Sequence, residues 1–185
     1  MLLVMGMLGI GGSVTAASAE SGLEGIETGK VTPRDCSLAY AAFDFKPVVV
    51  DDFAEMTRLL REHAEAGNPC AQFELGMMYL DGVGVGKDSG QAVQWLEKAA
   101  DAGHADAQHT LGLLTAHGVA VERNVDQAVE WFYRAGLSYL AIDSRRLALR
   151  EVDYINRERP GHPRADELRD AINKHWLSSQ RLSGD

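Results

Sequence analysis

Apolar residues in the middle of the chain recur at the spacing of helices rather than of strands. Ala71, Leu75 and Met78 stand at i, i+4 and i+7, and Ala92, Trp95 and Ala99 at i, i+3 and i+7. Each set marks one buried face of a helix. The residues around them are punctuation. Asn68 suits an N-cap and Pro69 the first helical position, where its missing N–H costs nothing. Gly82 favours the left-handed turn that ends a helix. Asp88 then caps a second helix, and Gln91, three residues on, can reach back to the cap's own N–H. The pattern predicts a helical hairpin.

The hairpin recurs. Sliding the chain by 36 residues lays Gly67–Ala102 on Gly103–Ser138 without a gap and with 13 identities. Among them are Ala71/Ala107, Gln72/Gln108, Leu75/Leu111, Gly76/Gly112, Gly82/Gly118, Ala92/Ala128, Trp95/Trp131 and Ala99/Ala135. A worn third copy precedes them at 31–66, where Asp52 falls on Asp88 and Asn124, and Phe43 on Tyr79. Such a unit cannot bury its apolar stripe alone, so hairpins must stack. The prediction is an all-α solenoid of about four helical hairpins, with the tryptophans wedged between them.

The repeat also interprets "DGVGVGKDS" (81–89), which resembles a phosphate-binding loop. It aligns with "HGVAVERNV", where Gly84, Gly86 and Lys87 become Ala120, Glu122 and Arg123. A phosphate loop needs Gly-x4-Gly-Lys followed by Ser or Thr. Here Asp81 stands at the first glycine and Asp88 at the hydroxyl. The segment predicts a helix end and a helix start, and no cofactor.

"CAQFELGMMYLDGVGV" with "QAVQWLEKAADAG", and "ADAQHTLGLLTAHGVAV" with "QAVEWFYRAG", resemble the Sel-one-like repeat, a relative of the tetratricopeptide repeat. Thr115 and Ala120 depart from its tyrosine and loop glycine. The resemblance implies a right-handed α-solenoid that serves as a scaffold for protein partners, usually without catalysis of its own. It covers 67–102 and 103–138 well and 31–66 weakly. Residues 139–185 resemble a tetratricopeptide-like C-terminal cap, with helices expected near 144–158 and 163–179 and Leu168, Ala171, Ile172 and His175 on one face.

Composition adds location and excludes partners. The first 19 residues carry no charge and end in the small-x-small site Ala17-Ser18-Ala19. They suggest a signal peptide over 1–19 and a solenoid from 20 to 138 in the periplasm of a bacterial-type envelope; without cleavage the chain stays cytoplasmic. The apolar run is too short for a spanning helix, so no stable membrane insertion is expected. Residues 20–138 hold 9 basic and 19 acidic side chains, a net −10, against +1 from 139 onward. A field of that sign repels phosphate backbones, so no nucleic-acid partner is expected.

No nucleophile–base set or metal-ligand spacing occurs. His104 and His109 are five residues apart, off a shared helical face, and are expected in loops or facing solvent, as is His117. Exported, cysteine-rich members of the resembled class are linked to β-lactam or peptidoglycan hydrolysis, but their regular cysteine pairs are missing, and the chain is read as not an enzyme. The repeat register puts Cys36 and Cys70 near the starts of first helices in adjacent hairpins. They either pair, closing a loop of about 34 residues for about 3 kcal/mol, or stay as buried thiols. In the resembled solenoid first helices line the concave face, where Gln72, Glu74, Tyr79, Gln108, His109 and Thr115 would point outward to hold a peptide or protein partner. An exported regulator of an envelope sensor or enzyme is the alternative.

Overall fold

The computed structural model describes residues 53–182. Among them are seven helices and no strand: α1 Phe53–Glu65, α2 Pro69–Asp81, α3 Ser89–Asp101, α4 Ala105–His117, α5 Val125–Ala141, α6 Arg145–Glu158 and α7 Pro163–Leu182. Each helix packs on the next, and α5 packs on α7 as well. The pairs α2/α3, α4/α5 and α6/α7 are successive hairpins of an α-solenoid. The expected signal peptide, Cys36 and most of the worn unit lie outside the described residues.

The caps form where the sequence puts them. Asn68 Oδ1 accepts from the N–H groups of Cys70 and Ala71 at 2.9 and 3.1 Å. Asp88 and Asn124 each accept from the N–H three residues on, at 3.0 Å. Gly82 and Gly118 end α2 and α4 in the left-handed conformation. The reciprocal half of the expected capping box is replaced. Asp88 N–H donates to the Tyr79 carbonyl at 2.9 Å, and Asn124 N–H to the Thr115 carbonyl at 3.0 Å. The backbone of each first helix thus takes the proton that Gln91 or Gln127 was expected to take, and pins the far end of its own loop. Within that loop Ala120 sits at φ 65°, a conformation that its counterpart Gly84 adopts freely at φ 69°.

Packing follows three apolar clusters. Leu60, Ala64, Ala71, Leu75 and Met78 join α1 to α2. Leu96, Ala99, Ala107, Leu111 and Leu114 join α3 to α4. Phe132, Ala135, Tyr139, Val152, Ile155, Leu168 and Ile172 join α5, α6 and α7. Each fully buried leucine contributes about 1.5–3 kcal/mol. Gly112 has a packing role: a Cβ there would meet Phe132 Cε1 at 2.6 Å, so the repeated glycine lets the two helices approach.

The tryptophans are a correction. Trp95 and Trp131 are half-buried, and the next residues, Leu96 and Phe132, take the fully buried places. Each indole packs one side on an apolar cluster and carries a cation on its ring: Lys98 Nζ lies 3.8 Å from the Trp95 ring, and the Arg134 guanidinium 4.4 Å from that of Trp131. A large ring with a polar N–H sits most easily at such a boundary.

After Ser138 the period changes. Helix α5 has 17 residues where α3 has 13. That extra turn moves the next N-cap to Ser144, 40 residues after His104 instead of 36. Counted from the cap, Glu151 therefore stands where α2 has Leu75 and α4 has Leu111. It is fully buried.

Candidate functional site

The six residues expected to face a partner divide in the structure. Gln72, Gln108 and Thr115 are buried, which corrects the outward reading. Gln72 Nε2 donates to the Ala64 carbonyl at 3.0 Å, and Gln108 Nε2 to the Ala100 carbonyl at 2.8 Å. Each amide is a second donor to a carbonyl at the end of the preceding second helix, which also accepts from the Gly67 or Gly103 N–H at 3.1 or 3.0 Å. The repeated glutamine is therefore a tether between hairpins. The second unit completes it, since Ser138 Oγ donates to Gln108 Oε1 at 2.8 Å. In the first unit Ala102 stands at the serine's place, and Gln72 Oε1 is buried without a partner.

Glu74, Tyr79 and His109 are half-buried. Tyr79 OH accepts from Arg61 Nη2 at 3.2 Å. His109 Nδ1 donates to Glu151 Oε2 at 2.9 Å, and its ring meets Tyr154 edge-on at 4.9 Å. Glu151 Oε1 accepts from Arg150 Nε at 3.1 Å, Arg150 Nη2 donates to Tyr139 OH at 3.2 Å, and Tyr139 OH donates to Asp106 Oδ1 at 2.5 Å. Burial, reinforced by the hydrogen bond to Asp106, holds the Tyr139 hydroxyl protonated well above its ordinary range. A lone buried carboxylate would cost several kcal/mol, and His109 and Arg150 offset that by pairing both oxygens. Of this network only His109 was expected to meet a partner. Glu151 was hidden by the four-residue change of frame.

His104 is also a correction. Instead of lying in solvent it is buried, stacked on Phe73 with ring centroids 4.6 Å apart. It takes the N-cap place of Asn68, Nδ1 accepting from Ala107 N–H at 3.2 Å. Desolvation lowers its pKa from 6.5, against a smaller upward pull from Asp106. His117 is exposed at the end of α4, as expected. Cys70 is disulfide-bonded; the sequence holds one other cysteine, Cys36, outside the described residues.

One concavity lies beside α2. A groove of about 290 Å3 is lined by Met56 and Leu60 of α1, by Glu74, Met77, Met78 and Asp81 of α2, and by Val83. Among the described residues no cluster of three or more histidines, cysteines or carboxylates is placed to hold a metal. No described helix is long and apolar enough to cross a membrane.

Hairpins stacked at a fixed period mark a helical repeat, and residues 71–104 and 105–138 match the Sel1 repeat family model. The chain carries two Sel1 repeats. They begin four and two residues later than the 67–102 and 103–138 read from the sequence, and the second ends at the same residue. Among solved structures, the chain is 26% identical to a protective antigen present in uropathogenic Escherichia coli strains that displays an SLR fold. That match covers 82% of this chain and 32% of the antigen, with a TM-score of 0.55. The chain is also 29% identical to a Sel1 repeat protein from Oxalobacter formigenes, over 72% of this chain and 60% of that one, with a TM-score of 0.49. It thus spans less than two thirds of either structure. Comparison with curated proteins finds no match.

Proposed function

We propose that this Sel1 repeat chain is a non-catalytic scaffold that holds a protein or peptide partner on its first-helix face, outside the cytoplasm. The observation that carries the reading is how the polar residues of the repeats are used. Gln72, Gln108 and Thr115 are sealed inside the stack, while Glu74, Tyr79 and His109, on the same helices, keep part of their surface. A rigid stack with partly exposed polar and aromatic groups suits recognition of another chain.

Photo-crosslinkers placed at Glu74, Tyr79 and His109, with Gln94 and Glu97 of α3 as controls, test this reading. Adducts to one discrete protein from the first-helix positions alone are expected. Equal adducts from both sets overturn it.

The disulfide at Cys70 supports export, because such bonds persist in oxidising compartments. Amino-terminal sequencing of the mature protein should then begin at Glu20, and alkylation of unreduced protein should find no free thiol. A mature chain that begins at Met1 with two alkylated cysteines refutes export.

A further inference from the structure

The groove beside α2 has a chemistry of its own. Glu74, Met77, Met78 and Asp81 stand at i, i+3, i+4 and i+7, one strip along the helix. Its centre is apolar and adaptable, since methionine fills irregular gaps readily. Its two ends are carboxylates about 10.5 Å apart, from the 1.5 Å rise of a helix. Neither carboxylate has an ion pair or side-chain hydrogen bond among the described residues, although Lys87 follows Asp81 by six residues. The α1 lining, Met56 and Leu60, is apolar. At about 290 Å3 the space takes anchoring side chains rather than a whole cofactor.

We infer that this groove docks a basic amphipathic helix from a partner protein, with Lys or Arg at i and i+7 and large apolar residues at i+3 and i+4. The complement is read off the strip itself: two apolar anchors enter between the methionines, and the flanking cations meet Glu74 and Asp81. The net −10 of residues 20–138 draws such a segment in and repels an acidic one. The inference deepens the scaffold reading by giving the partner's chemistry, and rests on that reading.

The test is fluorescence anisotropy of the full chain with two labelled alanine-based helical peptides. One carries lysines at i and i+7 with leucines at i+3 and i+4; the other has glutamates in place of the lysines. The basic probe is expected to bind about tenfold tighter at low salt, the size that two partly exposed charge pairs supply. Exchanging charges on the protein, Glu74→Lys with Asp81→Lys, should reverse the preference, so restored binding of the acidic probe shows that the variant is folded. Equal affinity for both probes, an order that the double variant leaves unchanged, or binding of neither probe overturns the inference. If neither probe binds while Tyr79 and His109 still crosslink to a partner, the groove assignment has failed and the scaffold reading has not.

Discussion

Removing one methyl-sized difference between the two repeats should change the stability of the stack. Ser138 donates to Gln108 Oε1 at 2.8 Å, whereas Ala102, its counterpart, leaves Gln72 Oε1 buried and unpaired. A serine at 102 should supply the missing donor. The backbone there, φ −75° and ψ 0°, accepts serine without strain. The new bond contributes about 0.5–1.5 kcal/mol, less a few tenths for the lower helical preference of serine over alanine. The converse change, Ser138→Ala, leaves the buried Gln108 oxygen unpaired and costs about 1–3 kcal/mol. Urea denaturation followed by circular dichroism measures both, with the slope expected unchanged and the midpoints moving in opposite directions. In a thermal melt each kcal/mol is about 2–4 °C for a chain of this size. Two midpoints that both stay where the parent's lies would refute the claim that this glutamine is a tether whose oxygen needs a partner.

Ala120→Gly should stabilise by about 0.5–1 kcal/mol, because the left-handed conformation costs alanine about 1–2 kcal/mol and glycine returns part of that as chain entropy; the melting temperature reads it. His104 caps α4 through an unprotonated Nδ1, and its folded pKa lies below the unfolded 6.5. Its contribution is therefore complete above about pH 6.5 and lost as pH falls from there through the depressed folded value; His104→Asn should flatten that part of the stability–pH curve. His109→Ala should cost about 1.5–3 kcal/mol by leaving one oxygen of the buried Glu151 unpaired. The double change His109→Phe with Glu151→Leu, which puts at this junction the residue types that Phe73 and Leu111 hold at the equivalent places one hairpin earlier, should recover most of that loss in the same denaturation assay.

The hairpins were legible because their signals are local. Caps, a left-handed glycine and an apolar stripe each depend on residues a few positions apart, and the 36-residue shift counted them twice. Burial of the tryptophans was misjudged because spacing cannot separate Trp95 from its neighbour Leu96 at the edge of the stripe. Repetition of Gln72 as Gln108 was itself a hint of a structural role: a ligand contact need not recur in each unit, whereas a tether must. Glu151 could not be read from the period, since it depends on the extra turn of α5, which only packing of the C-terminal helices defines. The groove joins Met56 to Met77 across two helices, and no one-dimensional pattern pairs them.

The two main-chain bonds that close the loops, from Asp88 to Tyr79 and from Asn124 to Thr115, are indifferent to the side chains between them. The chain thus carries Gly86-Lys87 late in one turn and Glu122-Arg123 in the other, with the same closing bond in both. Charge can therefore change in these turns, or a tag be grafted there, provided that the inward valines Val85 and Val121 and the closing bonds are kept.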